Sequence, residues 1–123
     1  MPIDLPQLIV ADVGEWRDWL VENADGSEGI WLVLAKKGHV EPTRITYAEA
    51  LEEALCSGWI DGLVRRRDEQ TYQQRFTPRR PRSQWSSGNV ELVERLTEEG
   101  RMRRGGLSAI ESAKAGGRWP ASI

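Results

Sequence analysis

WIDGLVRRRDEQTYQQRFT, residues Trp59 to Thr77, is the stretch that decides the fold. It holds two strand-like runs, Trp59–Arg67 and Thr71–Thr77, joined by Asp68-Glu69-Gln70, which by length and composition is a hairpin. The second run alternates: Tyr72, Gln74 and Phe76 fall on one face, Gln73, Arg75 and Thr77 on the other. Pro78 and Pro81 then stop strand pairing, because proline has no N–H to give to a ladder. Immediately upstream, Gly58 suits the left-handed position that ends a helix. The helix it ends, Tyr47 to Ser57, opens on a capping box of Thr46 and Glu49. Its apolar stripe predicts Tyr47, Leu51, Ala54 and Leu55 inward, with Glu49, Glu52 and Glu53 on a solvated face. Cys56, in the last turn, reads as a small buried filler.

Downstream, Arg79, Arg80 and Arg82 fall in an extended loop. Ser86 is the preferred N-cap of a helix reaching about Glu99, with Val90, Val93 and Leu96 inward and Gly100 closing it. A last helix, Leu107 to Ala115, turns Leu107, Ile110 and Ala113 inward. Before the hairpin unit, Ile30 to Ala35 is apolar on both alternations and predicts an interior strand. Asp12 and Glu15 start a helix from Val13 to about Asn23. Ile3 to Val10, interrupted by proline, predicts a short edge strand or extended arm. Strand, helix, strand, helix, hairpin, helix, helix is the order of an α+β domain: a mainly antiparallel sheet with helices packed on one face. A doubly wound parallel fold needs more alternating units, and no glycine-rich phosphate loop follows any strand.

At 123 residues the chain reads as a single domain, 1–123, with a core of its own. Charged residues make up 29% and hydrophobic ones 39%, a globular balance, and no apolar run approaches the roughly 18 residues of a membrane span. The N-terminal stretch lacks the basic region of a signal peptide. The single cysteine, Cys56, excludes an internal disulfide and suits a reducing, cytoplasmic setting. The net charge of −2 hides an asymmetry: residues 1–61 carry 4 basic and 12 acidic groups, residues 62–123 carry 13 and 7. The two halves can pair with each other or leave a basic face open to an anionic partner.

No Walker loop, Gly-x-Ser-x-Gly or His-Glu-x-x-His motif is present. One cysteine and one histidine cannot build a structural zinc site, so no metal and no cofactor is expected. His39, in a polar turn, reads as an exposed loop residue. Chemistry therefore concentrates on Trp59, Asp61, Arg79, Arg80, Trp85 and Asn89. Asp61 sits inside an apolar strand, where a carboxylate needs a partner, and arginine is the best one. The residues support two readings: a structural ion pair of Asp61 with Arg79 or Arg80, or a pocket for an anionic or polar ligand walled by Trp59 and Trp85. In either case the hairpin returns the arginine loop beside Asp61, with Trp85 and Asn89 at the start of the next helix. Arg65, Arg66, Arg67 and Arg75, interleaved with aromatics, form a second and weaker candidate, for single-stranded nucleic acid. Edge protection explains the same arginines, and a pI near 5.5 is low for a dedicated nucleic-acid binder.

Several segments together resemble a known family. They are Trp16, Trp19-Leu20, Gly29-Ile30-Trp31-Leu32, Thr46-Tyr47-Ala48-Glu49-Ala50, Gly58-Trp59-Ile60-Asp61-Gly62, Arg75-Phe76-Thr77-Pro78-Arg79-Arg80-Pro81, Trp85-Ser86, Asn89 and Gly100-Arg101-Met102. Over roughly residues 13–119 the chain resembles the bacterial YdeI/OmpD-associated, or bacteriocin-protection, family. The resemblance implies a YjbR/CyaY-like α+β fold, without the helical C-terminal segment that longer relatives carry after the Gly-Arg-Trp stretch. It also implies protection against a bacteriocin or antibiotic-like compound, and with the arginine- and tryptophan-lined candidate pocket the preferred reading is a non-catalytic protein that sequesters a small-molecule or peptide ligand. The alternatives are a nucleic-acid-binding regulator and an enzyme acting on a small anionic substrate. The family supplies no catalytic residues.

Overall fold

Local signals set most element boundaries in the computed structural model, which describes residues 4–80 and 83–120. Helix α1 spans Val13–Asn23. The Asp12 carboxylate accepts the Glu15 N–H at 3.1 Å, while the Glu15 carboxylate reaches one residue further back, to the Ala11 N–H at 2.9 Å. Helix α2, Tyr47–Cys56, carries the full reciprocal capping box of Thr46 and Glu49. Helix α3, Ser87–Glu98, is capped by the Ser86 hydroxyl, which accepts the Asn89 N–H at 3.1 Å.

Helix α4, Arg104–Ala115, departs from expectation. It begins three residues early, through Gly105 and Gly106, without a side-chain cap from Arg103. Two consecutive glycines argue against a helix on propensity, but here only glycine fits. A Cβ on Gly105 would lie 2.5 Å from the Ser57 carbonyl oxygen, and one on Gly106 would run into the Cys56 carbonyl. The first turn of α4 is thus seated directly on the end of α2. Leu107, expected inward, is 45% exposed.

The sheet has four strands, β1 (Gln7–Leu8), β2 (Ile30–Ala35), β3 (Trp59–Arg66) and β4 (Thr71–Pro78), in the order β1-β2-β4-β3. Only the short edge strand β1 pairs parallel; β2–β4 and β3–β4 are antiparallel. The architecture is therefore α+β, with a mostly antiparallel sheet and, among the described residues, four helices. Asp68 builds the hairpin turn, accepting the Gln70 and Thr71 N–H groups at 2.9 and 2.8 Å. Pairing slips between Asp61↔Phe76 and Val64↔Gln74, so Gly62 and Leu63 together face Arg75 alone. This one-residue bulge reverses the alternation of β3. Trp59 and Asp61 share the face of Phe76, whereas Arg65 passes to the opposite face, opposite Gln73. The Gln74 amide donates to the bulged Gly62 carbonyl at 3.0 Å.

Ile30, Leu32, Leu34 and Phe76 form the sheet side of a core with Trp16, Leu20, Ala50 and Ala54 of α1 and α2. The Trp16 indole N–H donates to the Ala50 carbonyl at 3.1 Å, so the buried ring leaves no polar atom unmatched. A second core forms on the other side of α2, where Leu55 and Cys56 meet Trp85, Val93, Leu96 and Ala113. Helix α2 is consequently packed on both sides, which corrects the expectation for its acidic face. Glu53 is 1% exposed. Tyr47, expected inward, is 38% exposed, and its hydroxyl donates to Asp61. None of the described helices is long and apolar enough to cross a membrane.

Candidate functional site

Four elements meet where the chain leaves β4. The Arg79 N–H donates to the Gly58 carbonyl at 2.9 Å, extending the hairpin ladder past Pro78 and tying the arginine loop to the α2–β3 junction. Gly58 has φ +80°, and a Cβ there would lie 2.6 Å from the Gly105 carbonyl oxygen. The close approach of Gly58 and Gly105 brings α4 alongside the loop. Between them lies an open cavity of about 240 Å³, lined by Gly58, Arg79, Arg80, Trp85, Gly105, Ser108, Ala109, Ser112 and Ala113.

Arg79 is the most constrained polar group there. Its guanidinium stacks on Trp85, 3.7 Å from the ring centroid, and Trp85 in turn packs against Trp119 at 5.1 Å. Its Nη1 donates to the Ser83 hydroxyl and to the Gln84 carbonyl, both at 3.1 Å. Its Nε and Nη2 are buried and have no hydrogen-bond partner among the described residues. Burial pulls the Arg79 pKa down to about 10, against the opposing charge of Asp61. Arg79 therefore stays cationic at neutral pH.

Of the six predicted ligand residues, the fold brings Arg79, Arg80 and Trp85 to one cavity. Trp59 is not a wall of it: the ring is 1% exposed in the first core, and its N–H donates to the Ala24 carbonyl at 3.3 Å. Asp61 makes no salt bridge with either arginine among the described residues; its carboxylate accepts the Tyr47 hydroxyl at 2.7 Å. Burial, followed by that hydrogen bond, pushes the Tyr47 pKa up to about 12. Asn89 contributes its backbone N–H to the Ser86 cap and does not line the cavity. Ser108, Ser112 and the Gly58–Gly105 contact belong to the site and escape a reading of the sequence. The signal for them was the glycine pair at the head of an otherwise regular helix.

The arginine-rich hairpin is arranged as a cover. Arg65 lies over Trp31, 3.9 Å from the ring centroid, and donates to the Gln73 amide oxygen at 3.3 Å. Arg67 reaches Gln7 at 3.2 Å, Thr71 at 2.9 Å and Asp68 at 2.8 Å. Arg75 lies against Gly62 of the bulge. These stems close the sheet face that carries Trp31 and Val33, which are 8% and 0% exposed. Arg66 is exposed, on the opposite face beside Tyr72. Of the aromatics near this cluster, Phe76 is fully buried against the helices and Trp85 lies in the second core, while Tyr72 is half-buried beside Arg66.

A second polar cluster was hidden from the sequence. The Glu53 carboxylate accepts Arg101 and Arg103, each at 2.9 Å, with Arg17 at 3.4 Å. Glu52 extends it to Arg95 and Arg101. Although burial works against the charged form, the hydrogen bonds of Arg103 and Arg101 hold the Glu53 carboxyl below the usual range. Burial pushes the adjacent Cys56 thiol up, away from a reactive thiolate. His39 is exposed in its turn. Among the described residues no group of His, Cys, Asp or Glu is placed to hold a metal ion.

Fold and site together define a small α+β domain with an arginine–tryptophan cleft at the junction of its hairpin and last helix. The family model described as Domain of unknown function (DUF8412) matches residues 8–109, and the chain belongs to that family. No curated protein and no solved structure matches it.

Proposed function

We propose that this chain is a binding protein, without catalytic activity, whose ligand presents an acidic group to the cleft of Arg79, Arg80 and Trp85. One observation carries the reading. Arg79 is stacked, anchored through one nitrogen and left with two buried donors that nothing in the described chain accepts. A buried unmatched donor costs about 1–3 kcal/mol, more for a charged group, and an acidic ligand removes that penalty. Among its described lining residues the cleft offers no nucleophile–base pair and no acid–base pair, which supports binding over turnover.

The resemblance to the YdeI/OmpD-associated family supports a physiological role: sequestration of a bacteriocin or antibiotic-like small molecule or peptide, in the cytoplasm, where Cys56 stays reduced. Two measurements test the reading. Acidic compounds added to the ¹⁵N-labelled protein are expected to shift the Trp85 indole resonance saturably. Arg80→Ala, a change at an exposed residue, is expected to weaken that binding about tenfold with an unchanged melting temperature. Cells producing the Arg80→Ala chain are expected to lose protection against the compound that the wild-type chain tolerates. A Trp85 resonance that no acidic compound moves refutes the binding reading.

A further inference from the structure

If the cleft is a ligand site, its chemistry specifies the acidic group further. We infer that the cleft receives the phosphate monoester of a small molecule, with Arg79, Arg80, Ser108 and Ser112 as its donors; the inference rests on the binding role proposed above.

Charge comes first. Both ionisable side chains lining the cavity are arginines, and no carboxylate lines it among the described residues. A carboxylate ligand brings one negative charge to two guanidinium groups. A phosphate monoester brings between about 1.5 and 2 charges at pH 7 and matches the pair.

Donor count and geometry agree. The unmatched atoms of Arg79, Nε and Nη2, form one edge of the guanidinium, the two-donor fork that fits two oxygens of an oxyanion side by side. The Trp85 stack and the bonds to Ser83 and Gln84 already hold the plane of that fork. Ser108 and Ser112, four residues apart on α4, place two hydroxyls on one stripe of the cavity wall. With Arg80 this makes more donors than two carboxylate oxygens can engage, whereas a phosphate monoester presents three terminal oxygens. Size limits how much of the ligand enters. About 240 Å³ is below the roughly 300–1,000 Å³ of sites that enclose drug-sized molecules. The phosphoryl group occupies the cleft, and the body of the ligand leaves past Arg80, Ser108 and Ser112, all exposed.

The experiment compares phenyl phosphate, benzoate and inorganic phosphate by titration against the Trp85 indole resonance and by calorimetry. Phenyl phosphate is expected to bind at least about tenfold more tightly than benzoate. Its affinity is expected to rise as pH increases from about 5 to 7, as the second phosphate proton leaves near pH 6. Inorganic phosphate binding as well as phenyl phosphate would show that the phosphoryl group alone is recognised, which also supports the inference. Arg79→Lys keeps the charge and removes the fork, and is expected to abolish the preference over benzoate. The exposed pair Ser108→Ala/Ser112→Ala keeps the test open if Arg79→Lys fails to fold, and is expected to weaken phenyl phosphate several-fold and benzoate little. Benzoate binding as tightly as phenyl phosphate, or a phenyl phosphate affinity flat with pH, overturns the inference and leaves the acidic-ligand reading intact. If no probe binds, both fall.

Discussion

Replacing Glu53 by glutamine removes the charge that three arginines share while keeping size and one acceptor oxygen. The amide turns two N–H donors toward guanidinium groups that are themselves donors only. Arg101 and Arg103 lose charge-assisted bonds of 2.9 Å, and Arg17 loses its 3.4 Å contact. Breaking a buried ion pair by removing one partner costs about 3–5 kcal/mol. The side chain of Glu53 is 2% exposed, but those of Arg103 and Arg101 are 25% and 36% exposed, so water recovers part of the loss. Glu52 also remains for Arg101. We therefore expect a loss of about 2–3 kcal/mol near pH 7, a fall in Tm of roughly 8–15 °C for a chain of this length. The pH dependence has a definite sign. The folded carboxyl is held below its unfolded value by Arg103 and Arg101. Its contribution is therefore complete above the unfolded glutamate pKa, near 4.3, and lost as pH falls through the folded value. The gap between wild type and Glu53→Gln is expected to be widest at neutral pH and to close in acid. Urea unfolding at a series of pH values measures it. A gap below about 0.5 kcal/mol at pH 7, or one that widens in acid, refutes the structural role given to this carboxylate.

Two further changes probe the frame of the cleft. Gly105→Ala forces a Cβ against the Ser57 carbonyl, at 2.5 Å in the present geometry, and is expected to destabilise the fold by about 1–3 kcal/mol; Gly88→Ala, with open space around its Cα, is the control and is expected to be neutral or stabilising in denaturant melts. Tyr47→Phe removes the hydroxyl bonded to Asp61 and is expected to lower stability by about 0.5–1.5 kcal/mol without changing anion affinity at the cleft, while a tyrosinate absorbance titration of the wild type should show one phenol ionising near 12 that the variant lacks.

What the sequence made readable was local. Thr46 with Glu49, Asp12, Ser86 and Gly58 mark helix ends through local interactions and act as read, while Glu15 closes its half of the expected box on Ala11 instead of Asp12. The hairpin was readable for the same reason, since its turn is built by Asp68 from its immediate neighbours. What failed was decided at long range. Glu53 looks solvated on a wheel with one buried side, but α3 and α4 cover the second side of α2. Its partners Arg101 and Arg103 stand 48 and 50 residues away. Asp61 and the arginines were expected to meet because hairpin return brings strand ends together. It does so for the backbone, with Arg79 bonded to Gly58, but Asp61 turns toward α2 and finds Tyr47 instead. The bulge at Gly62 carries no strong sequence signal, yet it separates Arg65 from Asp61 by reversing the strand's alternation.

The charge asymmetry of the chain bears on where a ligand belongs. A basic second half suggests an open cationic surface, and the arginine run of the hairpin is its most conspicuous part. Much of that charge is matched internally. Arg95, Arg101 and Arg103 meet Glu52 and Glu53 of the acidic half, Arg67 meets Asp68, and Arg65 spreads over Trp31 with Asp4 nearby. Arg79 and Arg80 form no salt bridge among the described residues and share one cavity. Among the described residues, only in Arg79 are two donors on one edge of a guanidinium buried together without an acceptor. Of the arginines that close a sheet face, Arg65 and Arg67 have hydrogen-bond partners, while Arg75 keeps a single buried donor, Nε, without one. Arg79 keeps two such donors on one edge of its guanidinium, and that difference favours the cleft over the hairpin for the binding role we propose.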